Sequence, residues 1–236
     1  MTENTYILQI ETATPVCSVA ISKNGETMAQ VEAHEPNLHA SHLTLFIEQA
    51  VEKISITLSD VHAIAVSMGP GSYTGLRIGT STAKGLCYAL DVPLIAVHTL
   101  EAMAYGFRER RVLPDTAADN VLVPMIDARR MEVFMATYNT QLECLTGTEA
   151  RVIDDYSFFG DSRGANYILF GTGADKLETF YEKTPAIQVV SGFRNAASFF
   201  SKLAFQKFEQ QEFEDVVYFE PYYLKDFIAT TPKKRT

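Results

Sequence analysis

The stretch that most restricts the fold runs Gly69, Pro70, Gly71, Ser72, Tyr73, Thr74, Gly75, Leu76, Arg77. Before it lies AIAVSM, Ala63–Met68, a short continuous apolar run of the kind that forms a central strand buried on both faces. After it, the spacing predicts a helix over about 76–90. Glycine allows the sharp turn from strand to helix, and the free N–H groups of a helix start favour an anion. The segment is not a Walker A loop, because no Gly-Lys-Ser/Thr follows at the required gap, and Thr74 stands where a dinucleotide fingerprint has its third glycine. From spacing alone it reads either as a phosphate loop or as a structural turn.

The predicted helix carries a second signal. Gly75, Gly79, Ala83 and Cys87 recur every four residues and place a stripe of small side chains on one face. A glycine inside a helix costs ~1 kcal/mol relative to alanine, so close approach of another element must compensate. Spacing leaves two partners open, this chain's own helix or sheet and a second protein.

Around that centre the chain reads as alternating strands and helices. Residues 6–10 and 16–22 are strands, and Asn24-Gly25 is a hairpin turn before a strand over 26–32. A helix is predicted over 40–54, with Leu43, Phe46, Ile47, Ala50, Val51 and Ile54 on one face. VPLIAV, 92–97, is a strand, and Thr99 is placed to cap a helix over 100–107. A charged loop is expected over 108–120. The opening pattern then recurs: strand 121–126 ends in Asp127, a turn follows, and 132–138 is a strand, as strand 6–10 ended in Glu11. Gly171-Thr-Gly173 after the strand 168–170, with a helix over 174–181, echoes Gly69-Pro-Gly71. These echoes predict a duplicated α/β protein with lobes over 1–108 and 109–236, the C-terminal segment packing back on the first lobe. That segment reads as one long helix over 195–208 and an aromatic, strand-like VVYFEPYYL.

At 236 residues the chain buries roughly 70% of its unfolded surface and needs no disulfide or metal to fold. Its three cysteines, Cys17, Cys87 and Cys144, show no CxxC spacing, which fits a reducing, cytoplasmic setting. Neither a signal peptide nor an apolar run of ~18 residues is read, so no membrane partner is expected. A net charge of -9 argues against a direct grip on nucleic acid, and Lys233, Lys234 and Arg235 read as a solvated tail. His34, His39 and His42 cluster without an HExxH pattern, so no metal site is expected. Glu11 and Asp127 are isolated acids, without a second group to complete an acid/base pair.

Five segments carry a family resemblance: YILQIETAT at the start, HASHL at His39–Leu43, GPGSYTGLRIGTSTAKGL from Gly69, IDARRMEVF from Ile126, and PYYLK from Pro221. Through them the chain resembles the TsaB (YeaZ) family of bacterial tRNA threonylcarbamoyladenosine biosynthesis, over most of its length. The resemblance implies an actin/Hsp70-like fold of two duplicated lobes, each with a central mixed sheet and flanking helices. It implies a non-catalytic scaffold or activating subunit that binds a TsaD-like catalytic subunit. It also implies contact with a TsaE-like ATPase through the complex, contact with tRNA only indirectly, and a homodimer when the chain is alone. ATP or ADP at the subunit junction is the one cofactor raised. By the same resemblance His39, Leu43, Phe46, Ile47, Ala50, Gly75, Gly79 and Ala83 are expected at the partner interface. The first turn, Glu11-Thr-Ala-Thr-Pro15, is not the Asp-x-Gly-Thr kind that wraps ATP phosphates, which weighs against the alternative of a small-molecule kinase. No catalytic triad or metal set supports the other alternative, a protease.

Overall fold

The computed structural model describes residues 4–35, 37–110, 120–154 and 164–225. The basic run at 233–235 and most of the predicted loop, 111–119, lie outside them. Among the described residues ten strands form two sheets. The first contains β1 (Tyr6–Glu11), β2 (Cys17–Lys23), β3 (Glu26–Ala33), β4 (Ala63–Gly69) and β5 (Leu94–His98), in the order β3-β2-β1-β4-β5. The second contains β6 (Asn120–Asp127), β7 (Glu132–Tyr138), β8 (Cys144–Val152), β9 (Asn166–Phe170) and β10 (Ile187–Val190), in the order β8-β7-β6-β9-β10. In each sheet the first strand pairs antiparallel with the second and parallel with the fourth. Strand for strand the two sheets have one topology, so the duplication read from the sequence is real.

Helix α1 (His39–Lys53) and helix α2 (Tyr73–Leu90) cover one face of the first sheet. Helix α2 begins earlier than the apolar pattern suggests, because Ser72 caps it: its Oγ accepts the Gly75 N–H at 3.3 Å. Helix α3 (Thr99–Arg110) lies between the sheets. Leu100, Met103, Ala104 and Phe107 join the core of the second sheet, where Phe107 stacks on Phe170 at 4.0 Å between centroids. Thr99 is the helix's first residue rather than its cap, and its hydroxyl accepts the Gly69 N–H at 3.1 Å. The second half returns the cover. A 3-10 turn, Ala197–Phe200, and helix α6 (Ser201–Glu209) pack on the remaining face of the first sheet, with Ile7, Ala65 and Ile95. Each half thus lends an element to the other's sheet, and a cut at residue 108 divides the sequence without dividing the packing. Helices α4 (Thr172–Asp175) and α5 (Glu178–Tyr181) stand where one helix over 174–181 was expected, and they help close the outer core of the second sheet.

Several other expectations are corrected. The stretch 195–208 is not one helix, because it turns at Phe200 between a 3-10 turn and α6. VVYFEPYYL forms no strand. It is a strap that follows a bridge from Glu214 to Leu94, runs over α2, and reaches the mouth between the sheets, where the Tyr222 N–H donates to Met68 O of β4 at 2.7 Å.

The small-residue stripe is packed inside the chain. A Cβ on Gly75 would collide with the Thr12 carbonyl oxygen, and one on Gly79 with the Thr12 hydroxyl. Ala83 and Cys87 belong to the first sheet's core. By the same test Gly85 faces open space. The expected outcome for Gly79→Leu is therefore a loss of fold stability of ~1–3 kcal/mol or more, read as a melting temperature lower by roughly 2–12 °C in circular dichroism. Gly85→Ala should instead hold or gain several tenths of a kcal/mol from helix propensity.

Candidate functional site

The strand ends of both sheets open on one cleft of about 730 Å³, bordered by the β1–β2 turn, the start of α2, the β6–β7 turn and the strap. The β1–β2 turn and α2 are locked together. Ser72 N–H donates to Ala13 O at 2.7 Å and Thr12 Oγ1 donates to Gly75 O at 2.8 Å. A Cβ on Gly71 would collide with the Ala13 carbonyl. The glycines of the loop are thus required by contact with the chain's own backbone. The Ser72 N–H, which a phosphate loop would offer to its ligand, is already taken by the Ala13 carbonyl.

The two acids at the strand ends have parted in role. Asp127 is half-exposed at the cleft, where its Oδ1 accepts from Lys176 Nζ at 2.5 Å and from the Arg129 N–H at 3.0 Å. Arg129 and Arg130 both take left-handed backbone angles, φ 72° and 49°, to make this tight turn. Glu11 turns inward and is wholly buried. Its Oε1 accepts the Ala13 N–H at 2.6 Å and its Oε2 accepts from Asn195 Nδ2 at 3.2 Å, which ties the first turn to the segment returning from the second half. Burial pushes the Glu11 carboxyl up to about 7, against the lowering pull of the Ala13 and Asn195 bonds. Asn195 was missed as a site residue in the sequence, where it stands as the first residue of the helix expected over 195–208.

His39 is also structural. It is buried, and Nε2 lies 3.0 Å from Thr14 O and 3.1 Å from Val16 O. Carbonyls only accept, so Nε2 carries the proton and donates, pinning the start of α1 to the β1–β2 turn. Leu43, Phe46, Ile47 and Ala50 are buried against the first sheet and α2. These residues, with Gly75, Gly79 and Ala83, are therefore not a free surface as the sequence reading expected. An amphipathic helix uses its apolar face to hold its own sheet. What α1 and α2 leave outside is different: on α1, Leu45 among polar residues such as Thr44, Glu48 and Gln49, and on α2, Thr74, Arg77, Ser81, Gly85, Tyr88 and Ala89. Among the described residues no cluster of three His, Cys, Asp or Glu is placed to hold a metal, and no helix is long and apolar enough to cross a membrane.

Two five-stranded mixed sheets of one topology, with helices around them and a cleft at their strand ends, define the actin/Hsp70 class of fold. The family model for TsaD, tRNA N6-adenosine threonylcarbamoyltransferase, matches residues 32–230. The chain belongs to that family, and TsaB (YeaZ) proteins are among the relatives it is most similar to. It is 38% identical over 132 residues to the tRNA threonylcarbamoyladenosine biosynthesis protein TsaB of Escherichia coli, which covers 56% of this chain and 54% of that protein. It is 36% identical over 124 residues to a tRNA N6-adenosine threonylcarbamoyltransferase of Bacillus thuringiensis, covering 46% of this chain and 36% of that enzyme. The chain spans about half the length of the TsaB relatives it matches, and less of the transferases. The solved structure of YeaZ from Pseudomonas aeruginosa superposes with a TM-score of 0.73 at 26% identity, covering 93% of this chain and all of that one.

Glu11 makes stability depend on pH. Between about pH 4.5 and 7 the unfolded chain has lost the proton that the folded chain keeps. Its contribution is therefore fully present below pH 4.5 and falls away as pH rises through 7. A shift of this size corresponds to on the order of 3 kcal/mol. In urea denaturation, Glu11→Gln, which stays neutral, should gain on the native protein by about that amount between pH 4.5 and pH 8.

Proposed function

We propose that this chain is the non-catalytic subunit of a tRNA-modifying assembly, a scaffold that binds and activates a TsaD-like catalytic subunit for threonylcarbamoyl transfer to adenosine in tRNA. Family membership supports the reading, and the observation that carries it is the fate of the first turn. Its acid is folded into the core and its backbone is bonded to α2, so this side of the cleft has neither a solvent-facing carboxylate nor an open phosphate loop. The acidic balance of the chain, -9, supports indirect rather than direct contact with tRNA.

The partner surface in this reading is the outer side of α1 and α2, which pack beside each other on the first sheet. Thr74, Ser81 and Gly85 keep the outer side of α2 low, and Leu45, 47% exposed, and Tyr88, 88% exposed, supply apolar area beside it. Small residues let a second helix pair approach to ~8 Å. Without the catalytic subunit, the same face pairs with a second copy about a two-fold axis. The lobes are taken as 1–108 and 109–236, with the partner on the first, and a TsaE-like ATPase joins through the complex.

Purified chain with threonine, bicarbonate, ATP and tRNA should yield no modified adenosine until the catalytic partner enzymes are added, and product from the chain alone would overturn the proposal. Gly85→Arg places a long charged side chain on the outer face where nothing stands within 4 Å of a Cβ. It should weaken association with the catalytic subunit by at least roughly tenfold while the melting temperature holds. An unchanged affinity would move the interface elsewhere.

A further inference from the structure

The strap after α6 presents a turn whose exposed side chains the fold does not use. Three anchors immobilise it. Glu214 N–H donates to Leu94 O at 2.9 Å, Phe219 is buried in the first sheet's core, and Lys84 Nζ of α2 donates to the carbonyls of Val217 and Phe219, each at 3.0 Å. Between the anchors Asp215 shapes the turn. Its Oδ1 accepts the N–H groups of Val217 at 2.8 Å and Tyr218 at 3.1 Å, and its carbonyl accepts that of Phe219 at 2.8 Å. At the tip Val217 is 74% exposed and Tyr218 82%. Tyr88 stands one helical turn beyond Lys84, on the same side of α2.

A single exposed apolar residue is ordinary. Two adjacent ones at the tip of a turn held by Lys84 of α2, by the Leu94 carbonyl of β5 and by the turn's own Asp215 and Phe219 are a preorganised contact, because docking them orders little that is not already ordered. The turn is also acidic: Glu214, Asp215 and Glu220 are exposed around it.

We infer that Val217 and Tyr218 form a knob that docks in an apolar pocket rimmed by Lys and Arg on the catalytic subunit, continuing the outer α2 face through Tyr88. The inference rests on the reading of that face given above. Charge selects this occupant over a second copy. A subunit that grips tRNA needs a basic surface to meet phosphates, whereas a second copy brings the same charge of -9 and the same three acids.

The test measures binding of the full chain to the purified catalytic subunit, together with self-association by light scattering. The variant Val217→Ser/Tyr218→Ser keeps Asp215 and both Lys84 bonds to the backbone. It should bind the catalytic subunit ~10–100-fold more weakly with self-association unchanged. Glu220→Lys alters only an exposed charge, and it should slow association at low salt and flatten its salt dependence. If the native chain itself fails to bind, the reading of the outer face falls and this inference falls with it. If the native chain binds and both variants bind equally well, the knob alone is overturned. Weakened self-association with intact partner binding would also overturn it, by giving the turn to a second copy. Should the double variant melt early, Glu220→Lys decides, and an unchanged association rate rejects the knob.

Discussion

Helix α2 lies so close to the β1–β2 turn that two of its residues have no room for a Cβ, and the architecture around the cleft follows from that approach. Thr12 bonds to Gly75 O and Ser72 bonds to Ala13 O, so the first turn and the start of α2 move as one body. His39 adds α1 to the same body through Thr14 and Val16. With its inner side committed to the turn, α2 has only its opposite side to offer. That side is where small residues and an exposed tyrosine lie.

The sequence was most legible where backbone geometry demanded a particular residue. Gly69 and Gly171, with φ of 115° and 104°, stand at the end of the fourth strand of their sheets, the first as its last residue and the second just after it, and their echo revealed the duplication. The glycine stripe announced a close contact correctly, but periodicity says only that something is near, not what it is. A stripe facing Thr12 of the same chain and one facing another protein have the same spacing. Strand β8 was missed because its residues are all partly or fully exposed, so no alternation betrays it, and β10 because four residues carry too little pattern. The apolar face of α1 was legible as a face, while the spacing did not say what it packs against. Leu43, Phe46, Ile47 and Ala50 hold the helix to its own sheet, as most amphipathic faces do.

The two halves share a plan, and one of their differences lies where an acid ends the first strand. Asp127 remains at the cleft, held by Lys176 and the turn's own N–H. Glu11 has turned into the core, where Asn195 from the other half meets it. Duplication here supplied a frame, and each half then used its acid differently: one to shape a turn at the surface, the other to fasten a crossing segment.

The exchange of cover between the sheets has a consequence for how the chain comes to exist. A ribosome delivers β1 to β5 first, yet the inner face of that sheet, with Ile7, Ala65 and Ile95, is covered in large part by residues 196–204, beside Ala102 of α3. Helix α3 is made early and waits for a sheet not yet synthesised, since Phe107 has its partner in Phe170. Each half therefore builds the core on one face of its sheet largely from its own residues and leaves the facing side of that sheet to be completed by the other half. Gly106 fixes the meeting point, for any Cβ there would strike the Phe199 ring, and the two crossing elements can seat only when both are present. Such a chain folds late and all together, with many contacts between distant residues, and its nascent first half needs shelter for an apolar face until the final fifth of the sequence emerges.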